Sequence, residues 1–151
     1  MKKLLAITVC IGWLSTAAKA QTAVDSVKMT IDNMFRAMKT ADSALLRQCF
    51  ADSAIMQTIV KDRNGANMVR NEAVGDFIRL IGTLAKDAAD ERITYDVVKV
   101  DGPLAIAWTP YKFYLSGQFS HCGVNSFQLA RIRGVWKIQY IIDTRRKQPC
   151  E

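Results

Sequence analysis

Arg92 to Asp143 is the stretch that most restricts how this chain can fold. It reads as four segments, RITYDVVKV, LAIAWTPYKFYL, FSHCGVNSFQLARI and VWKIQYIID, all rich in β-branched and aromatic residues. The breaks between them are short and carry turn chemistry: Asp101-Gly102-Pro103, Ser116-Gly117 and Arg133-Gly134. Strands joined by such tight turns lie side by side in antiparallel order, which predicts a meander. A sheet with one apolar face then needs a second layer to cover it.

The residues before the meander supply that layer. From Val24 to Met38 the apolar positions Val24, Val27, Ile31, Met34, Phe35 and Met38 recur in steps of three and four, one stripe of a helix. Asp42 and Ser43 are placed to cap a second, shorter helix carrying Leu45, Leu46, Cys49 and Phe50. AIMQTIVKD followed by RNG reads as a strand entering a turn at Asn64-Gly65. A third helix is expected to begin near Asn71, with Val74, Phe77, Ile78, Ile81 and Leu84 on its buried side and KDAADE closing it. The order helix, helix, strand pair, helix, meander predicts an α+β fold, with about three helices gathered on one face of the sheet. No internal repeat, low-complexity tract or long linker divides the chain.

The N-terminus, MKKLLAITVCIGWLSTAAKA, places Lys2 and Lys3 before an apolar run from Leu4 to Leu14 and ends in Ala18-Lys19-Ala20. That order predicts a secretory signal peptide over residues 1–20, cleaved after Ala20, and a single domain over residues 21–151 in the periplasm or outside the cell. The apolar run is short of the roughly 20 residues a spanning helix needs, so no membrane association is expected after cleavage. The formal charge of +7 shrinks on cleavage, because Lys2, Lys3 and Lys19 leave without any acid. Apart from Arg145-Arg146-Lys147 the remaining basic residues are spread out, which argues against a nucleic-acid partner.

Export also frames the cysteines. Cys10 departs, and Cys49, Cys122 and Cys150 then allow one of three disulfides with one odd thiol. Cys122 with Cys150 is the pairing favoured, both lying toward the end of the last hairpin. A lone histidine with scattered cysteines lacks the paired ligands of a metal site, and nothing in the sequence calls for a cofactor.

The order of elements, together with KDRNG, DERITYD, WTPYKFY, HCGVNSF and WKIQYIIDTRR, resembles the nuclear transport factor 2-like superfamily. More narrowly, the chain is similar to the SnoaL-like bacterial group often labelled lumazine-binding. The resemblance covers essentially all of residues 21–151. It implies a cone-shaped fold, helices packed on a curved, mainly antiparallel sheet, with a small organic molecule in the cone and a homodimer as a further option. Isomerase and dehydratase relatives use a pocket carboxylate or histidine to move a proton while a tyrosine or a protonated acid steadies an oxyanion.

Strand geometry nominates the residues of such a pocket. A two-residue turn at Arg133-Gly134 pairs Leu129 with Ile138, Phe127 with Tyr140 and Asn125 with Ile142, and it places Asp143 on the opposite face. His121 shares the parity of Asn125 and Phe127 and is expected to point under the helices. The same exercise at Ser116-Gly117 brings Trp108 near Asn125. A bulge at Pro110 would instead turn Tyr111 and Phe113 inward.

The expected ligand wall is therefore Trp108, Tyr111, His121, Asn125, Phe127 and Tyr140, with Gly123 leaving space between the two polar residues. His121 admits three roles: a structural imidazole, a ligand contact, or the general base of an isomerase, dehydratase or cyclase. As the only base expected in the pocket, it is the catalytic candidate. Asn125 inside a core requires partners, since an unpaired buried amide costs on the order of 1–3 kcal/mol. The function expected is capture of a small molecule, with enzymatic turnover or a filled-core dimeric interaction module as alternatives.

Overall fold

The computed structural model describes residues 11–148 and 150, with residues 11–21 described by their backbone alone. The expected leader, residues 1–20, thus falls outside the described side chains, and residues 1–10 fall outside altogether.

Two helices, α1 (Ile11–Thr40) and α2 (Ser43–Cys49), form a hairpin. Val27, Ile31, Met34, Phe35 and Met38 of the α1 stripe are buried. The Asp42 carboxylate caps α2 by accepting from the Leu45 amide at 2.8 Å. Next come β1 (Phe50–Lys61) and β2 (Asn67–Glu72), an antiparallel pair, and then α3 (Val74–Thr83). The helix starts later than its sequence period suggests because Asn71 and Glu72 are still paired with Gln57 and Met56.

The remainder is β3 (Ala89–Ile93), β4 (Val97–Asp101), β5 (Leu104–Leu115), β6 (Gln118–Ile132) and β7 (Val135–Thr144). The seven strands form one sheet in the order β2-β1-β7-β6-β5-β3, with β4 also paired to β5. Only β1 and β7 run parallel among the described strands, so the sheet is mainly antiparallel, and the helices cover its concave face. RITYDVVKV is split at Thr94-Tyr95-Asp96. Tyr95 turns toward α1, its hydroxyl lying 2.8 Å from Asp32 Oδ1 and 3.1 Å from the Lys28 carbonyl oxygen. KDAADE does not simply close a helix: β3 begins inside it, and this sets the direction of Glu91.

Two β-bulges decide which side chains enter the cone. From the Arg133-Gly134 turn the pairing runs as the hairpin rule predicts through Leu129 with Ile138. A bulge then takes up Gln139, so that Gln128 faces Tyr140, Phe127 faces Ile141 and Asn125 faces Asp143. Side chains alternate along a strand, and the extra residue therefore moves Asp143 onto the inner face and Tyr140 onto the outer one. The second bulge lies between Phe113 and Tyr114 rather than at Pro110. It pairs Phe113 with His121, Tyr111 with Gly123 and Thr109 with Asn125, leaving Trp108 on the outer face.

Candidate functional site

The inner face of the sheet changes character along its strands. One transverse row, Met56, Ile141, Phe127 and Ala107, is apolar and buried, and Phe127 meets Phe35 of α1 edge to face at 6.2 Å. The next row, Thr58, Asp143, Asn125 and Thr109, is polar and equally buried. Met34, Phe35 and Met38 of α1 and Phe77 of α3 roof the floor, enclosing a cavity of about 70 Å³ within a cleft of about 430 Å³. Its polar wall includes Glu72, Glu91, Asn125, Asp143 and Arg145.

These groups form one chain of contacts. The Asn125 side-chain amide donates to Glu91 Oε1 at 2.8 Å. Arg145 donates from Nε to Asp143 Oδ2 at 2.8 Å and sends a terminal nitrogen to within 3.6 Å of Glu72 Oε2. Arg70 holds the other oxygen of Glu72 at 2.8 Å. Tyr111, buried, directs its hydroxyl to Asp143 Oδ2 at 3.2 Å and to the Thr144 carbonyl oxygen at 3.0 Å. Asp143 Oδ1 and the hydroxyls of Thr58 and Thr109 are buried with no hydrogen-bond partner among the described residues.

Glu91 is half-buried as a residue, yet its carboxyl is enclosed, and burial pushes its pKa up to about 7. The Asn125 hydrogen bond and the Arg145 charge oppose that rise, and the Asp143 charge adds to it. Tyr111 is held protonated by burial and by the negative charges of Asp143 and Glu91. Burial, then opposite charges on Asp143 and Glu72, bear on Arg145; the carboxylates prevail over burial and keep the guanidinium charged. Two carboxyls that share one wall, the Glu91 carboxyl pushed up toward neutrality by burial, form an arrangement that can bind a donor or move a proton.

Of the expected ligand wall, Asn125 lines the cavity and Tyr111 braces it through Asp143. Phe127 is fully buried as core beneath it. Trp108 is 47% exposed on the outer face, and Tyr140, also on the outer face, donates its hydroxyl to Gln57 at 2.6 Å. His121 is displaced from the cavity. Its ring rests against Tyr111 and Phe113, with centroids 5.7 Å and 5.1 Å away, and its Nδ1 lies 3.0 Å from the Ser120 hydroxyl oxygen. Tyr111 thus stands between the imidazole and Asp143, so the histidine has no line to a molecule in the cone. Burial, followed by the Arg145 charge, lowers its pKa.

Gly123 does not open the cone either. A Cβ there would lie 1.8 Å from the Thr144 carbonyl oxygen and 2.9 Å from the Tyr111 ring, so glycine lets the end of β7 and the tyrosine close against β6. Beyond it Cys122 and Arg146 exchange backbone hydrogen bonds of 2.9 Å, and a disulfide joins Cys122 to Cys150 with Cα atoms 5.9 Å apart. Cys49 is buried and reduced, its thiol pushed up to about 11 by burial.

Sequence reasoning missed Glu91, Asp143, Arg145 and Glu72. The first was hidden by assigning KDAADE to a helix end, the next two by the bulge at Gln139, and the last by starting α3 too early. Among the described residues no group of three or more histidine, cysteine or acidic residues is placed to hold a metal ion. None of the described helices is long and apolar enough to cross a membrane.

The architecture defines a cone-shaped α+β protein with an acid-lined interior. No family profile and no curated protein matches the sequence. Solved structures do match, and they specify the fold. An NTF2-like protein with a cystatin-like fold from Novosphingobium aromaticivorans superposes with a TM-score of 0.70 at 14% identity, over 93% of this chain and 92% of that one. An NTF2-like protein of unknown function from Shewanella baltica gives 0.65 at 12% identity, over 85% and 97%. A candidate dehydratase of the NTF2-like family from Streptomyces avermitilis gives 0.61 at 15% identity, over 83% and 97%. The chain has the nuclear transport factor 2-like fold.

Proposed function

We propose that this chain is an exported single-domain protein that binds a small polar organic molecule inside the cone, in keeping with its likeness to the SnoaL-like and lumazine-binding group. The observation that carries the reading is the cavity: a buried polar floor faces an apolar roof, and one oxygen of Asp143 there lacks a partner among the described residues. Pockets of this kind bind by enclosing an apolar body and orienting it through a few fixed polar groups. Asn125 and Glu91 orient the ligand, Asp143 and Arg145 complete the wall, and Tyr111 positions Asp143. His121, Trp108 and Tyr140 have no part in it.

Native mass spectrometry of the purified protein tests this reading. A retained mass that disappears in the cavity-filling variant Met34→Trp supports it. A retained mass indifferent to that variant overturns it. Pairing of two copies through the outer sheet face, where Ile106 and Trp108 are exposed, belongs to the same reading and is checked by sedimentation.

The titration of Glu91 near neutrality favours a second reading, in which the cone is an isomerase or dehydratase site with Glu91, not His121, as general base. Deuterium uptake from D2O at the α-carbon of cyclopentanone provides the measurement. Uptake that rises through pH 7, survives His121→Ala and vanishes in Glu91→Gln supports catalysis; uptake equal to the buffer rate rejects it.

A further inference from the structure

The charged groups of the cavity are unevenly matched. Arg145 is the only base in the described wall, and it is already engaged by Asp143 and Glu72. The Asn125 amide is engaged by Glu91, and the Tyr111 hydroxyl by Asp143 and Thr144. Against these stands Asp143, a residue only 9% exposed whose Oδ1 has no partner among the described residues. The hydroxyls of Thr58 and Thr109 also lack partners among the described residues, but these two residues do not line the cavity. The lining therefore offers surplus acceptors and surplus negative charge, while its guanidinium and amide donors and the Tyr111 hydroxyl behind them are engaged. An unpaired buried acceptor is destabilising, more so when charged, so a ligand that brings donors recovers what one without them forfeits.

We propose that the cavity takes a small organic cation, an ammonium-bearing molecule whose N–H groups are received by Asp143 and Glu91 while its hydrocarbon part lies against Met34, Met38 and Phe77. The inference rests on the small-molecule reading above and names the ligand class for that site. The apolar half of the cavity suits an alkyl body, and unbranched methionine side chains allow it to be widened. A carboxylate ligand would meet two carboxylates and a guanidinium already neutralised.

Binding of such a cation is coupled to a proton. Glu91 is faced by Asn125 from β6, by Asp143 and Arg145 from β7 and the residue after it, by Tyr111 from β5, and by the apolar side chains of α1. Its carboxyl titrates at about 7, and an ammonium group favours the ionised form. The cation consequently expels a proton at pH 6 and binds more tightly at pH 8. An anion accepting from protonated Glu91 would show the opposite trend.

Two-dimensional amide NMR with three probes of one size, n-butylammonium, butyrate and butyramide, tests the inference. The expected result is a shift of the Asn125 side-chain amide by butylammonium, at least about fivefold tighter than the other two at pH 8. The ammonium affinity is expected to fall about tenfold at pH 6, as a carboxyl titrating near 7 requires. Glu91→Gln removes that pH dependence. Butyrate or butyramide binding at Asn125 as tightly as the ammonium overturns the cation assignment and leaves cone binding intact. No shift at Asn125 with any of the three overturns both.

Discussion

At the scale of single residues, Glu91 and Asn125 form a part-buried hydrogen-bonded pair whose behaviour is measurable. Glu91 has a folded-state pKa of about 7 against an ordinary value of 4.5, so between these values the folded chain holds a proton that the unfolded chain has released. Stability from this group is present below pH 4.5 and is lost as pH rises toward 7. Glu91→Gln is therefore expected to melt higher than the parent at pH 8, with the gap closing at pH 5, as thermal unfolding across pH will show. In Asn125→Ala the carboxyl loses the hydrogen bond that favours its charge. Its titration, followed by carbon NMR, should move above 7, with a stability loss of about 1–3 kcal/mol. Asn125 was legible from strand parity because its side of β6 is the buried side. His121 shares that parity but lies past Gly123, where Tyr111 folds over the strand and shuts it out.

At the scale of elements, what sequence can state is what local chemistry decides. The stripe of α1, the Asp42 cap and the hairpin turns were readable, since Ser116, Gly117, Arg133 and Gly134 adopt the positive φ angles such two-residue turns require. Bulges leave no comparable local mark. Gln139 resembles any other strand residue, yet its insertion reverses the facing of every β7 side chain from Tyr140 onward. Close approach is equally silent: Gly123 read as an opening and is a contact. Gly123→Ala should cost at least about 1–3 kcal/mol in urea unfolding, because its Cβ meets backbone rather than a side chain that can move aside. Gly75→Ala, whose new methyl would meet only the end of the Arg79 side chain at 3.7 Å, is the matched control and should be near neutral.

At the scale of the whole molecule, the C-terminal segment is both wall and fastening. Arg145 belongs to the cavity, Arg146 pairs with Cys122, and the Cys122–Cys150 bridge closes the segment onto β6 across a sequence separation of 28. A loop of that length implies a contribution of about 2–4 kcal/mol. Cys150→Ser should lower stability by that order in calorimetry and raise amide exchange in the last strand, with little change in α1 or α2. The α+β plan was legible because the order of elements fixes the layers, whereas the chemistry of the interior depended on one-residue shifts that only the assembled sheet reveals. The bulge at Gln139 carries this to its end. Deleting a single codon would return Tyr140 to the interior and Asp143 to the surface, leaving Glu91 and Glu72 to face an aromatic ring where a carboxylate now stands.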